Sequence, residues 1–427
     1  MNRPCIQVII PVYGREDVFS TLAFLRRQPY ADALRFIVVD NGNGVDLSGR
    51  LRALEDGDCQ VVSFPENRGG SAAYREGMRT ALRENRADYL WLLDDDALPD
   101  ERTLPELLAV FDETAASGSG PVGVVGSAML GRRCPRRITE AGCFVSRLTG
   151  LMRRCHEGED VDRIGALTYD VDYCAAASLL VRMDVVRKVG VFEDLFIHQD
   201  DVDWCFRIHE AGFRVLATTR STVSHPDDDD RFALWQFYFN TRNKRWMVDR
   251  HLPWFTRLDI RFLQQAYRLA FRYHGMHSAA GLMSLGMRHA KTGELLTRRE
   301  LPIGQVGKSI AELVADADLI GVLAAREKVA DALLKELVAT GVRNPLAAVR
   351  QRYHGPLAPL RMAFAHLALQ VRVWRARRPV VFQDCFCIGS YPLRLFCSNR
   401  HFFAAANGQV SLVPDRLLTN VLPERSK

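Results

Sequence analysis

The chain has 427 residues, more than a single hydrophobic core ordinarily serves, so two or more domains are expected. Hydrophobic residues make up 48% and charged residues 25%, a globular balance, and no apolar run approaches the ~20 residues needed to cross a bilayer. A net charge of +6 is too mild to indicate a nucleic-acid partner, and the 10 scattered cysteines contain no C-x-x-C pair, which argues against structural zinc and a disulfide framework.

The opening stretch MNRPCIQVIIPVYGR carries a short β-branched apolar run that stops at Pro11 and does not read as a signal peptide, so a cytoplasmic protein is expected. IQVIIPVY reads as a first strand and EDVFSTLAFLRRQ as a helix with Val18, Leu22 and Leu25 on one face. LRFIVVDNGNG is a second strand ending in turn residues, LRALEDGD a short helix, and CQVVSFPENRGG a third strand with a glycine-rich turn. SAAYREGMRTALREN predicts a helix and DYLWLLDDD a fourth strand. Apolar strands alternating with helices predict a parallel sheet covered on both faces, whose ligands bind beyond the carboxyl ends of the strands. Further along come a helix over ERTLPELLAVFDETAAS, a strand over GPVGVVGSAML, and an irregular region over 131–170 with a β-hairpin. YCAAASLLVRMDVVRKVG then predicts a strand and a helix capped by Gly190, FEDLFIHQDDVDWCFRIHEAGF a loop and helix, and RVLATTRSTVSHP a strand. Beyond His225 helical periodicity dominates up to about residue 375, and 379–427 is mixed, with CFC at 385–387 read as packing. A boundary near 226–255 separates residues 1–250 from a mainly α-helical domain over 251–427.

Three acidic features carry chemistry. YLWLLDDDALPD places Asp94, Asp95 and Asp96 directly after a buried-type strand, where like charges repel unless a cation sits among them. In an extended chain Asp94 and Asp96 share one side, which suits oxygen coordination of a hard divalent ion, although an acidic triplet alone is also a common solvated turn. HQDDVDW puts Asp200 and Asp201 at the start of a helix, where Asp is the usual cap but a carboxylate facing a pocket can also act as general base. His225 in TVSHP ends a strand and could add a nitrogen ligand to a carboxylate-held ion.

The order and spacing of VIIPVYGRED, VVDNGNG, ENRGGSAAYREGM, YLWLLDDDALPD, GVFEDLFIHQDDVDWCFRIHEAGFRV and VSHP resembles that of family 2 glycosyltransferases with the GT-A fold, in particular the bacterial galactofuranosyl- and rhamnosyltransferase branch. The resemblance covers residues 5–245. It implies a GT-A type, mostly parallel nucleotide-binding α/β sheet flanked by helices. It also implies inverting transfer of a sugar from a UDP- or dTDP-linked donor to a glycan or lipid-linked glycan, with Mn2+ or Mg2+ as cofactor. Asp94, Asp96 and His225 match the metal ligands, and Asp95 a contact to the ribose. Asp201 matches the catalytic base, with Asp200 a rival because the branch carries Asp-Asp there. Pro11, Tyr13, Arg15, Asp40, Asn67, Arg68 and Gly70 match nucleotide-binding positions, and Trp204 is a candidate platform for the acceptor sugar, with core packing as its alternative. YFNTRNKRWMV resembles the aromatic-Arg-Asn segment that follows the catalytic domain in this branch. The arginine-rich apolar run GPLAPLRMAFAHLALQVRVWRARR suggests either contact with the anionic inner membrane surface or a packing and oligomerisation role. Neither a nucleotidyltransferase nor a non-catalytic scaffold calls for HQDDVDWCFR together with every metal and base candidate, and a nucleic-acid module is disfavoured by an acidic pocket.

Overall fold

The structure is a computed structural model that describes residues 3–226, 234–273 and 277–301, with short stretches between 315 and 412. The chain divides into two compact units, Met1–Asp227 with Asn243–Ile260, and Asp228–Arg242 with Arg261–Lys427.

The first unit is built on β1 (Ile6–Val12), α1 (Asp17–Leu25), β2 (Leu34–Asn41), α2 (Val45–Arg52), β3 (Cys59–Phe64), α3 (Gly70–Glu84) and β4 (Tyr89–Leu93). β1, β2 and β4 are mostly apolar and buried on both faces while β3 forms the edge, and β1 pairs in parallel with β2 and β4 while β2 pairs in parallel with β3. α3 sits tight on the sheet at Gly77, where an added Cβ would lie 2.4 Å from Ile9 Cγ2. The short helix expected over LRALEDGD forms earlier, at Val45–Arg52. Asp56 instead makes a turn by accepting the Asp58 and Cys59 N–H groups at 3.1 and 2.9 Å, so the acids there end the helix.

The chain continues through β5 (Leu98–Pro99), α4 (Thr103–Ser117), β6 (Val122–Gly131), β7 (Ile138–Glu140), the hairpin of β8 (Cys143–Val145) and β9 (Met152–Arg154), α5 (Val161–Ile164) and β10 (Thr168–Asp170). It closes with β11 (Ser178–Arg182), α6 (Met183–Val189), α7 (Asp200–Glu210) and β12 (Arg214–His225). The principal sheet runs β10-β12-β6-β11-β4-β1-β2-β3. The half made of β3-β2-β1-β4 is parallel as expected; β11 enters antiparallel between β4 and β6, and β12 returns parallel to β6, which makes the whole a mixed sheet. Leu93, the last residue of β4, faces Ser178 at the start of β11. The acidic triplet and the end of β12 therefore reach the same rim.

α8 (Gln236–His251) and α9 (Trp254–Tyr273) are followed by α10 (His277–Thr292). Within the second unit Gly286 lies against α8, where a Cβ would come 2.7 Å from the Tyr238 carbonyl oxygen, and the Tyr238 hydroxyl meets His289 Nδ1 at 2.9 Å. Helices α8–α10 therefore follow β12, as the periodicity predicts. Past Thr292 the described residues also form a five-stranded sheet of order β14-β13-β15-β16-β17: β13 (Leu319–Ala324), β14 (Leu346–Val349), β15 (Pro379–Gln383), β16 (His401–Ala404) and β17 (Val410–Leu412). Runs such as LIGVLA and PVVFQ are apolar and too short to tell strand from helix by periodicity. CFC at 385–387 and almost all of 356–378 lie outside the described residues. Among the described residues no helix is long and apolar enough to cross a membrane.

Candidate active site

β4 stops at Leu93, and the chain turns at once: the Ala97 N–H closes on the Asp94 carbonyl at 3.1 Å. The acids thus stand on a turn, not on an extended strand, yet Asp94 and Asp96 still share a side. His225, ending β12, meets them there; its Nε2 is 3.7 Å from Asp94 Oδ2 and 3.5 Å from Asp96 Oδ1. One ligand atom from each of the three residues fits within a 4.8 Å span. Two carboxylates and an imidazole converging so closely form a donor set suited to a hard or borderline divalent ion, Mn2+ or Mg2+. Arg15 Nη1 holds Asp96 Oδ2 at 2.5 Å, and Arg132 Nη2 donates to the Asp96 carbonyl at 2.7 Å. Asp95 points elsewhere, accepting the Tyr13 N–H at 3.1 Å. Burial, then its neighbours Asp96 and Asp94, push its carboxyl up to about 7.

Asp200 and Asp201 are the first two residues of α7. Ser71 and Tyr74, one turn apart on α3, connect them to the Asp94–Asp96–His225 cluster. The Ser71 hydroxyl donates to Asp200 Oδ2 at 2.7 Å, and the Tyr74 hydroxyl donates to Asp94 Oδ1 at 2.7 Å. A single helix face therefore ties the acid pair to the Asp94–Asp96–His225 cluster. Burial raises the Asp200 carboxyl, with Asp94 adding to it, while Ser71 and the helix N–H groups oppose the rise. Asp201 is raised well above the usual carboxylate range by burial, then by Asp200 and by Glu140 of β7, despite the Val202 N–H at 2.8 Å. Glu140 is itself buried beside Arg154, whose Nε is 3.4 Å away.

The approach to α7 is strained. Phe196, His198 and Gln199 all take left-handed φ values of 66°, 66° and 70°. Asn243 of α8, fully buried, holds this turn: its Nδ2 donates to the carbonyls of Leu195 at 2.8 Å, Ile197 at 2.7 Å and His198 at 3.2 Å. On the other side Gly69, at φ 86°, presses on the turn so closely that a Cβ would lie 2.1 Å from the Phe196 carbonyl oxygen. Sequence reasoning passed over Ser71, Tyr74, Glu140 and Asn243. The helical spacing of Ser71 and Tyr74 was readable in SAAY, but their partners lie 129 and 20 residues away.

The remaining candidates divide. Asp40 is buried, and its Oδ1 accepts the Asn43 N–H at 3.1 Å and the Asn43 Nδ2 at 2.7 Å, an Asx-type turn at the end of β2. Asn67 accepts the Gly69 N–H at 2.7 Å, while Arg68 reaches Asp194 at 3.7 Å and lies over the Phe64 ring. The steric need for glycine falls on Gly69; a Cβ on Gly70 would meet nothing within 4 Å. Pro11 pairs with Val39 inside the sheet, and the Tyr13 side chain is exposed at the rim. Trp204 is corrected: it is fully buried, its Nε1 donates to the Gly190 carbonyl at 2.8 Å, and it packs edge-on to Phe192, so no acceptor sugar can stack on it. Asp203, the third acid of DDVD, also leaves the site. It is fully buried against Arg207 at 2.9 Å and His251 at 2.7 Å, fastening α7 to α8.

One rim of the sheet thus carries three converging candidate cation ligands and a half-buried acid pair. Residues 7–178 match the profile of glycosyl transferase family 2. Over 223 residues it is 26% identical to a pre-mycofactocin glycosyltransferase of Mycobacterium tuberculosis, covering 52% of this chain and 42% of that one. Over 277 residues it is 26% identical to a galactofuranosyltransferase of Mycolicibacterium smegmatis, covering 59% and 42%. The chain thus spans less than half the length of these relatives. A mannosyltransferase from Pyrobaculum calidifontis, solved with GDP-Man and Mn2+, is 16% identical, covers 70% of this chain and 78% of its own, and superposes with a TM-score of 0.41.

Proposed function

We propose that this protein is an inverting, cation-dependent glycosyltransferase that moves a galactofuranose- or rhamnose-like sugar from a UDP- or dTDP-linked donor to a hydroxyl of a lipid-linked glycan in cell-surface polysaccharide synthesis. The observation that carries the reading is the tie through α3, where Ser71 donates to Asp200 and Tyr74, one helical turn on, donates to Asp94 of the Asp94–Asp96–His225 cluster. Residues 1–250 would serve as the catalytic domain, and 251–427 as an accessory domain for surface association or self-association.

Asp94, Asp96 and His225 would hold the cation, which when bound supplies positive charge against the developing charge of the departing diphosphate. Arg15 keeps Asp96 oriented and adds a further positive charge at the same rim. Asp40, Asn67, Arg68, Gly70, Pro11, Tyr13 and Asp95 would line the nucleotide. Asp201 accepts the proton of the acceptor hydroxyl as that oxygen forms its bond to the anomeric carbon; the bond from that carbon to the diphosphate oxygen breaks, its electron pair leaving with the nucleoside diphosphate. Asp200 is the alternative base. A carboxyl raised by burial is a better proton acceptor than an ordinary one, and attack from the face opposite the leaving group inverts the centre.

A panel of UDP- and dTDP-sugars with Mn2+, assayed for slow donor hydrolysis, tests the reading. One donor should be consumed, and chelation should stop it. If no donor is turned over, or turnover persists in chelator, the reading fails.

A further inference from the structure

α9 is apolar on two opposite faces. One faces inward: the Thr256 hydroxyl donates to the Arg147 carbonyl, and Ile260 packs on Gly150, where a Cβ would lie 3.0 Å from Ile260 Cγ1. Further along, Gln264 Nε2 donates to the Thr241 carbonyl at 2.9 Å, and Phe271 packs edge-on to Phe237 at 4.9 Å between ring centroids. At 3.6 residues per turn the other face gathers Trp254, Phe255, Leu258, Phe262 and Leu269 into an arc of about 100°. These five are exposed, Trp254 by 70% and Phe262 by 74%. Scattered exposed apolar residues need no explanation, but five large ones aligned on the outer face of one helix form a patch of the kind that marks an interaction surface.

The charges flanking the arc define the partner. Arg261, Arg268 and Arg272 fall on one edge of it by the same helical geometry, and the helix holds four arginines against a single acid, Asp259. A second copy seated face to face would set arginine against arginine, whereas anionic headgroups complement them. An arc of Trp, Phe and Leu with arginines along its margin has the form of a helix that lies in a bilayer interface, its apolar face among the acyl chains and its guanidinium groups among phosphates. We propose that the outer face of α9 docks on an anionic lipid surface. This deepens the reading above, in which the acceptor is lipid-linked, and it places the contact on a helix that the sequence alone did not single out.

Flotation of the full chain with vesicles tests the proposal. Vesicles containing about a third phosphatidylglycerol should carry the protein, pure phosphatidylcholine vesicles should carry at least about tenfold less, and salt should weaken the binding. W254S/F262S, both exposed and therefore expected to melt as wild type does, should lose at least about tenfold in vesicle affinity through the lost apolar contact. R261E/R272E should lose the preference for anionic vesicles. Absence of wild-type binding overturns the proposal, as does binding that survives W254S/F262S. So does a dimer, seen by light scattering, that W254S/F262S dissolves, since that would assign the arc to a second copy. Donor hydrolysis measured on the same samples reports separately on the catalytic reading, so either can fail alone.

Discussion

Asn243→Ala tests how the acid pair is held. The Asn243 Nδ2 carries two hydrogens, so the three carbonyls at 2.8, 2.7 and 3.2 Å share two good hydrogen bonds. Losing them costs about 1 kcal/mol each, and more for a buried carbonyl left unsatisfied, so roughly 2–4 kcal/mol in all. Against this stand three left-handed non-glycine residues, Phe196, His198 and Gln199, at about 1–2 kcal/mol apiece. The two sums are comparable, so without Asn243 the turn has reason to relax, and Asp200 and Asp201 begin where it ends. A shift of order 1 Å at a catalytic carboxylate lowers kcat by about 100-fold, or about 2.7 kcal/mol. The assay is initial-rate kinetics with the donor found in the sugar panel, beside thermal melting and nucleotide titration. kcat should fall about 100-fold while donor KM changes by less than about threefold, because Pro11, Tyr13, Asp40 and Asp95 stand on or just beyond β1, β2 and β4 and only Asn67–Gly70 adjoin the turn. Asn243→Asp, which keeps the shape but turns acceptor toward acceptor, should do the same. A stable variant with kcat within about threefold of wild type, or one altered only in KM, refutes the clamp.

Gly69→Ala should destabilise the protein by at least about 3 kcal/mol, because its Cβ would lie 2.1 Å from the Phe196 carbonyl oxygen at a φ of 86°, whereas Gly70→Ala should be tolerated; equal melting temperatures for the two would contradict the packing. Asp201→Asn should abolish transfer, leave nucleotide binding intact and raise the melting temperature at neutral pH. The folded carboxyl is raised above its unfolded value, so its contribution to stability is full below the unfolded pKa and is lost as pH rises through the folded one. A variant that transfers at the normal rate moves the base to Asp200. Asp203 shifts the opposite way: burial alone would raise it, but the His251 hydrogen bond and Arg207 outweigh that and hold it below its usual value. Its stability contribution is therefore present above the unfolded pKa of about 3.9 and is lost as pH falls through the folded pKa. Melting temperatures followed from pH 7 to pH 3 should fall more steeply for wild type than for Asp203→Asn, and parallel curves would show that Asp203 is not the anchor described.

The parallel half of the sheet was legible because β1, β2 and β4 are apolar on both faces and end in turn residues. The convergence of Asp94, Asp96 and His225 was legible too, since the acids follow directly on β4 and His225 ends β12. Strand alternation puts Asp94 and Asp96 on one side, and in the fold a turn does the same. What stayed hidden depends on partners remote in sequence. Trp204 looked like a sugar platform because a helix-borne Trp beside two acids gives no sign of which way it faces; only Phe192 and the Gly190 carbonyl show that it points inward. Asp203 reads like a third site acid until Arg207 and His251 are seen around it. Asn243 lies in YFNTRNKRWMV, but nothing local indicates that its amide reaches back to residues 195–198. The later strands, short and without alternation, carry no period that distinguishes them from helix.

Anomalous diffraction from a crystal soaked with Mn2+ and UDP tests the central claim most directly. The account predicts one manganese peak within about 2.0–2.6 Å of carboxylate oxygens of Asp94 and Asp96 and close to His225 Nε2, with diphosphate oxygens completing its shell. A manganese peak elsewhere, or UDP bound while those three side chains hold no metal, would contradict it.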